Sequence, residues 1–134
     1  MYDITDEEFS QLIGTCLDEL PEKYVTELDN VLITYEDQPT QEQRSKQKLH
    51  LDQTLLGLYE GIPLTKRAPA KGLSSGMNMT MPDRITIFKR PLLHMSATME
   101  DLKKNVKHTL WHEIAHYYGL DHDRIHEIER NWQS

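Results

Sequence analysis

The chain of 134 residues has one cysteine, Cys16, so no disulfide can form within it. Cys16 falls on an apolar stripe with Phe9, Leu12, Ile13, Leu17 and Leu20, and this spacing assigns it to core packing on a helix. No uninterrupted apolar run approaches the length of a membrane span, which excludes a membrane partner of that kind. Basic residues are outnumbered, 15 against 22 acidic, and the net charge of −7 disfavours nucleic acid as a partner. The start, Met1-Tyr2-Asp3-Ile4-Thr5-Asp6-Glu7-Glu8, has neither the basic nor the apolar region of a secretory leader, so the expected location is cytoplasmic. A chain of this length suits one domain, residues 1–134, burying roughly 68% of its unfolded surface.

Histidine is plentiful where cysteine is not. His112-Glu113-Ile114-Ala115-His116-Tyr117-Tyr118-Gly119-Leu120-Asp121-His122 matches H-E-x-x-H-x-x-G-x-x-H. On a helix, a four-residue step advances about 400°, which puts His112 and His116 on one face, one turn apart. Two imidazoles can then share a zinc ion. Glu113 lies too far round to be a third ligand beside them, but suits a general base that holds a water on the metal's open side. Gly119 falls where a helix would end in a left-handed turn, and the reversal would carry His122 to the third metal position. His108 and His126 stand one helical turn outside this set, and position alone does not exclude them as ligands. The set His112, His116 and His122 is preferred because it leaves Glu113 as the base and uses Gly119 as the turn. Asp121 and Asp123 bracket His122 and are expected as turn residues or as partners of its far nitrogen.

The surroundings predict a helix from about Met99 to Tyr118, capped at Thr98, with Leu102, Val106, Leu110 and Ile114 as its buried stripe. Thr5 and Glu8 read as a capping box opening a first helix that runs to about Glu19, before Leu20-Pro21 interrupts it. A second short helix is expected over Glu22 to Asn30. Strands are expected at Val31–Tyr35, Thr54–Glu60 and Arg84–Lys89, and a last short helix at Asp123–Arg130. Residues 36–48 carry no apolar side chain and read as a loop. Thr65 to Met81 is a second loop, where Met77, Met79 and Met81 read as flexible packing rather than metal ligands.

Besides His112-Glu113-Ile114-Ala115-His116, three further blocks carry a resemblance: Leu56-Gly57-Leu58-Tyr59-Glu60-Gly61-Ile62-Pro63-Leu64, the run Pro82 to Leu92, and Leu20-Pro21. With these the sequence resembles the small bacterial zincin-like metallopeptidase domain family, minimal relatives of the matrix-metalloprotease-like zincins. The resemblance implies an α+β, zincin-like fold with a short β-sheet packed on the motif helix and N-terminal helices. In that family the third ligand position is often acidic, and His122 departs from this toward the metzincin pattern. Only 12 residues follow His122, which leaves no room for the methionine turn of larger metzincins.

The expected function is zinc-dependent hydrolysis of a peptide or protein substrate, with Zn2+ on His112, His116 and His122 and Glu113 activating the water. The same zinc chemistry would also serve an ester or small amide. A different use of the residues is a zinc-stabilised, non-catalytic binding or regulatory domain. Tyr117, Tyr118, His126 and Arg130 are nearby candidates for stabilising the oxyanion. Oligomeric state is left open by the sequence.

Overall fold

The computed structural model describes residues 3–46, 55–66 and 82–133. Thr5 opens helix α1, Asp6–Glu19, through the expected capping box: its hydroxyl accepts from the Glu8 N–H, and Glu8 returns a carboxylate to the Thr5 N–H. Phe9, Ile13 and Cys16 form the buried face of α1. Pro21 starts α2, Glu22–Thr26, which is shorter than the expected run to Asn30. Asn30 takes a left-handed conformation, φ 57°, which asparagine tolerates and a continuing helix does not. It delivers the chain directly into β1, Val31–Glu36.

Two expectations are corrected here. The stretch expected as a loop contains α3, Gln41–Lys46. Thr40 and Gln43 exchange reciprocal cap bonds of 2.8 and 3.0 Å, and Glu42 pairs with Lys46 one turn on, so local capping suffices without a buried face. The third strand ends at Phe88, and Lys89 begins a short helix, α4, Lys89–His94, that periodicity did not reveal. Lys89 is buried with its ammonium on Asp6 at 2.9 Å and Asp3 at 3.6 Å, so it ties α4 to the start of α1. The methionine loop, from residue 67 to Met81, lies outside the described residues.

β2, Gly57–Glu60, and β3, Asp83–Phe88, complete a three-stranded sheet of order β1-β3-β2. β3 is central, parallel to β1 and antiparallel to β2, with Gly57 opposite Ile87 and Tyr59 opposite Ile85. Between β2 and β3 a 3₁₀ turn spans Leu64–Lys66. Ile85 and Ile87 join Leu102, Val106, Leu110 and Ile114 of the long helix α5, Met99–Tyr118, in one core with Phe9, Ile13 and Cys16. Thr98 caps α5 by accepting from the Asp101 N–H at 3.0 Å. Helix α6, His122–Gln133, lies on α5: Ile125 and Ile128 join the core, and the Trp111 indole N–H donates to the Ile125 carbonyl at 3.2 Å. No helix among the described residues is long and apolar enough to cross a membrane.

Candidate metal centre

Helical spacing brings the first three motif residues together. His112 and His116 project from one face of α5 with ring centroids 4.6 Å apart, and one ligand atom from each of His112, Glu113 and His116 falls within 4.8 Å of the others. Glu113 is only 7% exposed, and its Oε1 lies 3.1 Å from His116 Nδ1. That contact occupies Nδ1 and leaves Nε2 of His116 for a metal. The Glu113 carboxylate holds the His116 pKa above its ordinary value against the opposing effect of burial. Burial pushes His112 the other way, below its ordinary value, with the neighbouring His116, His108 and His122 adding to the effect and Glu113 opposing it. A neutral imidazole is the form that ligates.

Gly119 turns the chain as expected, at φ 75° and ψ 28°, and the Leu120 N–H returns to the Ala115 carbonyl at 3.1 Å. Space demands glycine there as well, since a Cβ would come within 2.1 Å of Thr65 Oγ1 on the 3₁₀ turn. His122 then opens α6, exposed, its ring centroid 6.3 Å from that of His112. Asp121 is the cap of α6, its Oδ1 accepting from the Arg124 N–H at 2.8 Å.

The remaining candidates separate by what they touch. The Tyr117 hydroxyl accepts from the Asp29 N–H at 3.2 Å on a buried ring, and the Tyr118 hydroxyl donates to the Tyr24 carbonyl at 2.7 Å. Both hydroxyls are thus engaged with backbone. His126 and Arg130 are exposed on α6, with the His126 ring 6.5 Å from that of His122. His108 Nδ1 is in contact with Glu129, a buried carboxylate of α6 that sequence reading passed over. Glu129 falls seven residues after His122, on the same face of the helix, and a projection of α6 reveals it.

A cavity of about 240 Å3 lies where β2 meets α5, lined by Leu55, Leu56, Gly57, His108, Thr109, His112 and Glu113. Gly57 permits this approach: a Cβ there would stand 2.6 Å from Thr109 Cγ2 and 3.3 Å from Glu113 Cγ. Two imidazoles on one helix face, with a buried carboxylate beside them and a cleft in front, are a donor set that fits zinc.

The family model for zincin-like metallopeptidases matches residues 28–132. The chain belongs to the zincin-like metallopeptidase family. The match takes in all three strands, the motif helix and most of α6, so the family's α+β fold is the one described above. Membership implies a metal cofactor, typically zinc, and protein or peptide substrates. Among solved structures, a conserved hypothetical protein from Thermo thermophilus is similar at a TM-score of 0.53 and 21% identity, over 86% of this chain and 94% of that one. At that identity the likeness concerns the fold. No curated protein matches the sequence.

Proposed function

We propose that the chain is a zinc-dependent metallopeptidase in which His112, His116 and His122 hold the metal and Glu113 is the general base. The observation that carries this reading is the convergence of His112, Glu113 and His116 at the mouth of the cleft under β2. Zinc bound there would supply Lewis acidity and lower the pKa of a water toward about 7. Glu113 then takes the proton of the attacking water and returns it to the leaving amine, roles that its burial at the cleft wall and its place beside the two histidines support. An extended peptide would lie along β2, an edge strand of the sheet among the described residues, its backbone pairing with the strand and its scissile carbonyl toward the histidines.

The test is cleavage of a diverse peptide library by zinc-loaded protein, read by mass spectrometry beside Glu113→Gln. The expected result is cleavage by the unmodified protein alone, with the variant retaining zinc and losing at least about 100-fold in kcat/KM. Near-normal turnover by the variant would overturn the base assignment. No cleavage by either would favour the zinc-stabilised binding domain.

A further inference from the structure

His108 stands beside the proposed catalytic set without belonging to it. It precedes His112 by one turn of α5, with ring centroids 6.3 Å apart and planes 29° from parallel. It lines the cleft under β2 together with His112 and Glu113, and its side chain is 48% exposed. Glu129, on α6, meets the same ring at Nδ1 and is itself only 7% exposed. The hydrogen bond from Trp111 to the Ile125 carbonyl holds the two helices together, so the pair is fixed between packed elements. A carboxylate only accepts, which puts the shared proton on Nδ1, and a neutral imidazole that donates from Nδ1 keeps Nε2 as an acceptor. Glu129 thus sets both the orientation and the tautomer of His108, and Nε2 is left for what enters the cleft. Apart from His112, assigned to the metal, the side chains of the wall offer no donor among the described residues. Thr109 Oγ1 gives its proton to the Asn105 carbonyl at 2.8 Å, Glu113 accepts, and Leu55 and Leu56 add apolar surface.

We infer that this cavity selects a substrate side chain ending in an uncharged hydrogen-bond donor, glutamine foremost, with His108 as the residue that reads it and Glu129 as the residue that positions His108. The inference rests on the peptidase reading of the same cleft. A volume of about 240 Å3 admits one side chain. From His112 to His108 is one helical turn, about 5.4 Å, a reach that glutamine spans and serine or threonine does not. The carboxamide N–H donates to Nε2 while its stem lies against Leu55 and Leu56. Glutamate, of the same shape, would bring a second acceptor to Nε2 and a like charge to Glu113, and methionine would leave Nε2 without a partner. A site built to hydrogen-bond a substrate group discriminates strongly against the isostere that lacks it.

The experiment uses peptide sets that differ only in carrying glutamine, glutamate or methionine at one position, scanned along a common sequence, with the zinc-loaded chain at pH 8. The readout is the ratio of kcat/KM between the sets or, where no peptide is cut, the ratio of Kd on the same protein by fluorescence anisotropy. At one position glutamine should exceed both isosteres by at least about tenfold, with the difference lying in KM. His108→Leu should bring the ratios to within about twofold. Glu129→Gln can donate to Nδ1 and turn the other tautomer toward the cleft, so it should lower the glutamine peptide more than the methionine peptide. It also keeps the shape of the buried group, and it decides the matter if His108→Leu, which leaves a buried carboxylate without this partner, fails to fold. Ratios near one at every position in the unmodified protein, or a preference that survives either folded variant, overturn the assignment. Cleavage without the preference removes the selective pocket and leaves the peptidase standing, and the preference in binding without cleavage does the reverse.

Discussion

At Gly57 the backbone of β2 lies so close to α5 that the side chain has to be a hydrogen. The nearest group is Thr109 Cγ2, which cannot swing away freely because Thr109 Oγ1 donates to the Asn105 carbonyl at 2.8 Å on a β-branched side chain. Gly57→Ala should therefore cost about 1–3 kcal/mol in thermal unfolding. It should lower peptide turnover by more than the stability loss explains, because the neighbour displaced next is Glu113. Turnover measured well below the melting temperature checks this. Cys16 behaves differently. Its thiol is fully buried, lies 3.5 Å from the Lys103 carbonyl, and burial pushes its pKa up to about 11, with Glu19 adding to the rise. An alkylating reagent at pH 8 should leave the native protein unlabelled and label it at once after denaturation. A labelled native protein would mean that α1 opens from α5. The sign for stability follows: the unfolded thiol ionises near 9, the folded one near 11, so this contribution is present below pH 9 and is lost as pH rises toward 11.

Elements differ in how far local sequence determines them. Helix α5 was legible to the residue at both ends, because Thr98 caps it, an apolar residue recurs every fourth position and Gly119 stops it. Helices α3 and α4 were not. α3 buries no side chain, so hydrophobic periodicity has nothing to detect, and α4 follows an alternating strand without a break, its start decided by Lys89 reaching Asp6 across 83 residues. The candidate site divides along the same line. His112, Glu113 and His116 are neighbours by helical geometry and could be read off one line of sequence, and Gly119 gave away the turn. Gly57 matters through its contact with another element, which spacing along the chain does not encode, and for Glu129 a helix projection gives the face but not the meeting with His108. Gly119 carries a prediction at this scale. Gly119→Ala meets a left-handed backbone, worth about 1–2 kcal/mol for an L-residue, and a clash with Thr65 besides. Adding Thr65→Ala should relieve the contacts with Oγ1 and Cγ2 and leave the backbone cost and the tighter 2.9 Å approach of the two Cβ atoms, so the double variant should melt between Gly119→Ala and the unmodified protein. Simple additivity of the two losses would show that the 3₁₀ turn does not press on Gly119.

Across the whole molecule, metal and proton compete for the same imidazoles. Without metal, His116 is held protonated to higher pH by Glu113, which contributes stability below pH 6.5 that is lost as pH rises through the folded value. His112, its pKa lowered chiefly by burial, works in reverse and costs stability as pH falls. The two act on opposite sides of pH 6.5, so their joint contribution to the metal-free melt peaks near that pH and falls on both sides. In the zinc-loaded protein each ligating nitrogen must lose its proton before it binds. Zinc at 100 times its dissociation constant adds about 2.7 kcal/mol, and that increment should shrink as pH falls, the decline beginning above pH 6.5 because the His116 proton is the more tightly held. Paired melts of the metal-free and zinc-loaded protein check this between pH 5 and 8. Glu113→Gln removes the carboxylate that holds the His116 proton, so its zinc increment should persist to lower pH. If the increment instead fell at the same pH in both proteins, Glu113 would not be the group that governs His116.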